Sequence, residues 1–368
     1  MRYYIIAGEA SGDMHAANLV RALQQQDPQA QFRGLGGDQM RDAGVELARH
    51  YRDTAYMGFV EVLMHLRAIL NHIRYCKDDL AEWQPDVVIL VDYPGFNLRI
   101  APFAKKLGCK VCYYISPQLW AWKSGRVEII RKYVDKMLVI LPFEEAFYQK
   151  YKYPVTFVGH PLLDAIEAYT SDPDFLERND LQTRPYIALL PGSRKQEIAV
   201  KLPVMLSMVP HFPEYDFVVA CAPGQDMSYY QQFGGDQRVR FITGATYDIL
   251  KHAHSALVTS GTATLEAALL RAPQIVCYKG NAISYAIAKR LVHIKYISLV
   301  NLIADAPVVP ELIQHEFNHD NLLKHMQQLV QDVHYRTDMQ LAYTRLHKQL
   351  GGPGASARAA GEILHWLQ

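Results

Sequence analysis

Short apolar runs alternate with helix-patterned segments along almost the whole chain, and this alternation limits the possible folds more than any single motif. In the first half the runs are Tyr3 to Ala7, Gln31 to Leu35, Asp86 to Val91, Lys110 to Ile115, Lys136 to Leu141 and Val155 to Val158. They are too short for core helices, and nearly all end in glycine, proline or polar residues, as buried parallel strands do. Segments such as Met14 to Leu23 and Phe59 to Tyr75 supply the helices between them. A polar stretch from about Glu167 to Pro185, containing Ser171-Asp172-Pro173-Asp174, reads as a linker. The plan then restarts with Tyr186 to Leu190, Asp216 to Ala220, Arg238 to Ile242, Ala256 to Thr259 and Gln274 to Tyr278. The expectation is an α/β chain of two doubly wound, Rossmann-like domains, 1–168 and 185–344, facing each other across a cleft. A final helix of about 345–368 has room to pack back on the first domain.

At 368 residues the chain is long enough for two substantial cores. Its formal net charge of +1 gives no overall attraction for nucleic acid, which leaves that class of partner without support. The first apolar run is shorter than the core of a signal peptide, and no run approaches the ~18 apolar residues of a membrane span. A cytoplasmic protein is expected. The five cysteines are an odd number spread along the chain. Cys109 and Cys112 have redox spacing, but residues i and i+3 of a strand point to opposite faces. A structural role suits all five.

Ligands of doubly wound sheets sit beyond the carboxyl ends of the strands, so the loops there hold the candidates. The first strand delivers Gly8-Glu9-Ala10-Ser11-Gly12-Asp13, which would turn Glu9 into the cleft. The third run ends at Asp92, where a carboxylate is placed to act as a general base; a turn or capping aspartate is the plain alternative. In the second half, Leu190-Pro191-Gly192-Ser193-Arg194 puts a guanidinium just past a strand-end glycine, suited to paired phosphate oxygens. The most telling turn is Ser260-Gly261-Thr262-Ala263-Thr264-Leu265-Glu266 behind Ser255 to Thr259. A helix beginning there leaves its first N–H groups open to a phosphate, and Glu266 one turn further could accept from sugar hydroxyls. Together they read as a nucleotide-sugar site.

Other patterns are weaker. His315-Glu316-Phe317-Asn318-His319 matches a zinc-protease string, which works only on one continuous helix, and Asn318 looks like a helix start. Gly34-Leu35-Gly36-Gly37 resembles a dinucleotide fingerprint without its third glycine. Nothing asks for a metal or another cofactor. The apolar stripe Phe59, Val62, Leu63, Leu66, Ile69, Leu70 and Ile73 suits either a buried helix or a membrane surface. Trp120 and Trp122, beside Lys123 and Arg126, leave the same two readings open.

With these residues in view, the chain resembles the lipid-A-disaccharide synthase family of two-domain GT-B glycosyltransferases, nearly end to end. The shared motifs include Ala7 to Asp13, Met57 to Val62, Val91 to Asn97, Ser116 to Trp122, Leu141 to Glu144, Val158 to Pro161, Leu190 to Arg194, Ser260 to Glu266 and Ser298 to Leu302. Gly95 stands where the family often has an acidic residue, and Lys123 where it often has arginine. The resemblance implies inverting transfer of a diacylated glucosamine from UDP to the 6-hydroxyl of diacylglucosamine 1-phosphate. A UDP-N-acetylglucosamine 2-epimerase, or another UDP-sugar transferase, is the nearest alternative. On the family reading Asp92, with Glu9 nearby, is the base. Arg194 and the N–H groups at Ser260, Gly261, Thr262 and Ala263 hold UDP, Glu266 holds the ribose, and Asn301 is a donor-side contact. Phe59, Val62, Leu63, Leu66, Trp120 and Trp122 become acyl or membrane contacts, and peripheral attachment to the inner face of the inner membrane follows, with an oligomer conceivable.

Overall fold

The structure is a computed structural model and describes residues 1–53, 66–121, 124–281, 285 and 295–368. The chain divides into two compact units, Met1–Asp164 with Leu350–Gln368, and Ala165–Gln349. In the first unit the strands are β1 (Arg2–Ala7), β2 (Gln31–Gly36), β3 (Glu46–His50), β4 (Val87–Val91), β5 (Lys110–Tyr114), β6 (Lys136–Val139) and β7 (Thr156–Phe157). They stand in the order β3-β2-β1-β4-β5-β6-β7. The second unit has β8 (Tyr186–Leu190), β9 (Asp216–Cys221), β10 (Val239–Thr243), β11 (Ser255–Thr259), β12 (Gln274–Tyr278) and β13 (Glu311–Ile313), ordered β10-β9-β8-β11-β12-β13. The strand pairs are parallel, with Ile5 of β1 opposite Gly34 on one side and Ile89 on the other.

Helices cover both faces, so a central strand such as Val87–Val91 is buried at every residue. Each buried Val, Leu or Ile contributes roughly 1.5–3 kcal/mol. This is why such strands read as unbroken apolar runs. In each sheet the chain winds outward on one side of its first strand and then crosses to the other. The β1/β4 and β8/β11 boundaries are therefore topological switch points, where diverging loops leave a crevice for ligand.

Two strands have no counterpart among the apolar runs, β3 and β13, and both lie at sheet edges. Edge strands are half-solvated and tolerate charge, so Glu46-Leu47-Ala48-Arg49-His50 carries no buried-strand signature. The polar stretch around Ser171–Asp174 is fastened to the second unit. The Asp248 carboxylate accepts from the Ser171 hydroxyl and the Asp172 N–H at 3.0 Å each, and Phe175 and Leu181 enter that unit's core. The helix Ala355–Leu367 belongs to the first unit and packs on the helix Ala10–Gln26. Asp164 caps it from outside, accepting from the N–H groups of Gly354, Ala355 and Ser356. Gly159, at φ +84, lets the chain pass under Arg358, whose Nε donates to the Val158 carbonyl at 2.9 Å. His160 is buried in this clamp.

Candidate active site

At the β1/β4 switch point of the first unit, two acidic residues come together. Glu9 occupies the N-cap position of the helix Ala10–Gln26, is exposed, and makes no capping bond with its side chain. Asp92 follows β4 directly. Asp92 and Tyr93 both adopt left-handed backbone, at φ +45 and +47, which two consecutive non-glycine residues rarely do. The peptide between them is held by its carbonyl. The Asp92 oxygen accepts from the Tyr113 hydroxyl at 2.5 Å and the Asn97 amide at 2.7 Å. Both donors are fully buried. The Tyr93 ring lies where a side chain on Gly8 would be, which explains the glycine, and it stacks on Phe96 at 5.5 Å. Burial, followed by the negative charge of Glu9, pushes the Asp92 carboxyl up to about 6, while the Tyr93 N–H pulls it back. A carboxylate poised near neutrality suits proton abstraction from a hydroxyl.

The second unit carries a pocket of about 390 Å³ at the ends of β8, β9 and β11, lined by Arg194, Ser260, Gly261, Thr262, Ala263 and Glu266 among others. That volume is within the range of small-ligand sites. The helix Thr262–Leu269 starts from Gly261 at φ +146. Two other helix starts are filled by their own caps: Ser298 accepts from the Asn301 N–H, and Asn318 from the Asn321 N–H. Glycine has no side chain to do this, so the first N–H groups stay open at the helix's positive end. Arg194 is exposed at the start of the helix Lys195–Leu206. Its turn is shaped by Glu197, which packs over Gly192 at φ +115 and accepts the Ser193 N–H at 3.2 Å. Glu266 is partly buried, its carboxyl raised by burial and lowered again by the Tyr247 hydroxyl, which donates at 3.3 Å. Cation, open N–H groups and a carboxylate acceptor thus line one pocket.

Asn301, expected as a donor-side contact, lies in the frame of the second unit. It is 1% exposed and does not line the pocket. Its amide donates to the Val309 carbonyl and to Glu311, and its oxygen accepts the Val309 N–H, each at 2.9 Å. In this arrangement Asn301 braces the frame, with both of its amide hydrogens used inside the fold.

Phe59, Val62, Leu63 and Trp122 lie outside the described residues, as does the side chain of Leu66. The described helix runs Leu66–Trp83, with Ile73 in the core and Leu70 52% exposed. Trp120 is half-buried and meets Phe143 edge-on at 5.0 Å. The weaker patterns also find places. Asn318 caps a helix that begins at His319, so His315 lies outside it, and His319 faces His211 with Nε2 atoms 3.0 Å apart. The N–H groups of Gly37, Gln39 and Met40 are taken by the Asp13 carboxylate at 2.7–3.1 Å, which fills the turn that resembled a dinucleotide fingerprint. Among the described residues no group of three or more His, Cys, Asp or Glu is placed to hold a metal ion. Cys109 and Cys112 are free and buried, like the other three cysteines.

Sequence reasoning did not single out Tyr113, Asn97, Glu197 and Tyr247. Asn97 was visible only as part of a motif, Glu197 sits one turn past Arg194 in an ordinary first-turn position, and Tyr113 and Tyr247 reach the site from other elements.

The family model for lipid-A-disaccharide synthetase matches residues 3–362. A lipid-A-disaccharide synthase of Syntrophus aciditrophicus is 43% identical over 367 residues, covering 97% of this chain and 95% of that protein. That of Trichlorobacter lovleyi is 40% identical, covering 100% and 98%. Among solved structures, the glycotransferase of kitacinnamycin shares the fold with a TM-score of 0.68 at 13% identity, covering 100% and 99% of the two chains. The Methanocaldococcus jannaschii UDP-GlcNAc 2-epimerase, solved with UDP-GlcNAc and UDP, gives 0.66 at 12% identity and covers both chains fully.

Proposed function

The chain belongs to the lipid-A-disaccharide synthase family, and we propose that it works by inverting transfer with Asp92 as base and the Gly261 turn as the seat of UDP. It is a glycosyltransferase of lipid A synthesis. Its reaction moves 2,3-diacylglucosamine from UDP to the 6-hydroxyl of 2,3-diacylglucosamine 1-phosphate, giving the disaccharide 1-phosphate and UDP.

Inversion needs one displacement at the sugar's anomeric carbon. The Asp92 carboxylate takes the proton of the acceptor's 6-hydroxyl as its oxygen forms the new bond, and Glu9 keeps the Asp92 carboxyl basic enough for the task. The bond to UDP breaks with its electron pair on the diphosphate. Arg194 and the open N–H groups of Thr262 and Ala263 take up that charge, an interaction that strengthens as the bond breaks. Glu266 accepts from the ribose hydroxyls. Asn301 acts through the frame described above. The observation that carries the reading is the division of charge between the switch points: carboxylates at β1/β4, cation and open N–H groups at β8/β11.

Because both substrates are acylated, the exposed Leu70 and the neighbouring apolar stripe support peripheral binding to the inner face of the inner membrane. No helix among the described residues is long and apolar enough to cross a membrane. Flotation with anionic liposomes tests this: Leu70→Asp should reduce the bound fraction, and an unchanged fraction would remove the support.

The deciding experiment is a product assay with both acylated substrates, expected to give disaccharide 1-phosphate and UDP. Incubation with UDP-N-acetylglucosamine alone tests the epimerase alternative, which the full-length family match does not favour. Formation of an epimer there, with no disaccharide, would reverse the conclusion.

A further inference from the structure

We propose that Glu311 is a positioning residue for the donor turn, acting through Ile297 and Ser260 to fix the aim of the N–H groups at Thr262 and Ala263. The proposal rests on reading the Gly261 pocket as the UDP site. Glu311 is an acidic residue on an edge strand, where a solvated charge is the ordinary explanation. The structure turns it inward. Its Oε1 accepts from the Ser298 N–H at 2.9 Å, the Ser298 hydroxyl at 2.7 Å and the Asn301 amide at 2.9 Å. Its Oε2 accepts the Ile297 N–H at 2.9 Å. Ser298 and Asn301 are 0% and 1% exposed and Glu311 is half-buried, so the network is shielded on its inner side and its members are mutually satisfied. Bonds to an ionised acceptor are about twice as strong as neutral ones, and a satisfied buried network is rigid.

Ile297 passes that rigidity to the pocket. Its N–H is held by Glu311, and its carbonyl accepts the Ser260 hydroxyl at 3.1 Å. Ser260 and Gly261 line the pocket. Gly261 needs such a tether. Its φ of +146 is open to glycine but not imposed on it, and among the described residues no atom lies within 4 Å of where its Cβ would stand. On the other flank, the Thr264 N–H and hydroxyl both donate to the Gly261 carbonyl, at 3.1 and 2.8 Å. The turn is therefore pinned at both ends, and the N-terminal pin leads to Glu311. Without it, ordering the turn would have to be done by the ligand, at the expense of affinity.

Glu311→Gln in the full chain isolates the link. The variant keeps one carbonyl oxygen for Ser298 and Asn301 but turns an NH2 group toward the Ile297 N–H. With UDP as the probe, the dissociation constant should rise about tenfold, the loss expected for one charge-assisted hydrogen bond. Amide exchange of 262–265 should quicken in the unliganded protein. Ser260→Ala should produce the same two changes, and the double variant should be no worse than either single one, since both break one chain of contacts. Additive losses, or unchanged exchange at 262–265 in Glu311→Gln, would overturn the proposal. If the wild-type protein fails to bind UDP while the exchange pattern appears as expected, the ligand reading fails and the positioning role stands.

Discussion

The turns behind β4 and β11 occupy equivalent places in two sheets wound the same way, yet they differ in charge and in how they are held. Behind β4, two non-glycine residues sit at φ +45 and +47, a conformation costing of order 1–3 kcal/mol each, and buried Tyr113 and Asn97 grip the Asp92 carbonyl to enforce it. The strain presents a carboxylate. Behind β11, Gly261 makes its turn without a side chain to strain, and what it presents is backbone N–H. Topology leaves a candidate ligand site at both switch points. The residues of each turn decide whether that site gives up a proton acceptor or a charge acceptor.

The largest effect should come from Asp92→Asn. Asparagine tolerates left-handed backbone and keeps the turn, so turnover should fall about 10²–10⁴-fold with UDP affinity unchanged. Near-normal turnover in the disaccharide assay would end the acid-base assignment. Next, Arg194→Ala should weaken UDP binding about 10–100-fold by calorimetry, as loss of a bidentate charged contact does. A loss of acceptor affinity instead would erase the distinction between the two turns. Gly261→Ala should cost about tenfold in UDP affinity through its forbidden φ. Little change in its melting temperature would show that the strain falls on the site and not on the fold.

The smallest effects are in pH. Activity should rise with pH as Asp92 ionises and level off above about 6. Glu9→Gln removes a negative neighbour and should move that limb to lower pH; an unmoved limb would separate the two acids. Stability should show the same group with its own sign. The folded carboxyl is protonated up to about 6, against about 4 when unfolded. Between those values the folded state binds more protons, so stability falls as pH rises through the window. Asp92→Asn escapes this cost, so it should melt above wild type at pH 8 and converge with it near pH 4.

Much of this was legible in the sequence. The central strands announce themselves because both their faces are buried, and Asp92, Arg194 and the Ser260–Glu266 turn stand directly at their ends. The edge strands β3 and β13 were not legible, since half-solvated strands have no need of an apolar run. Asn301 illustrates a different limit. Its motif was recognisable, but whether its amide faced a ligand or the frame depended on Glu311 and Val309, ten and eight residues on.

Sequence alone determined the α/β plan, the family and the residue types at the strand ends, because burial and turn chemistry are local and leave periodic traces. Tertiary structure decided which of those residues are poised and which are braces. The raised Asp92 carboxyl comes from burial and from Glu9 at the end of another strand, and the Gly261 turn is anchored from Ile297. Such electrostatic and hydrogen-bond couplings depend on distances through space, which the order of residues along a chain does not state.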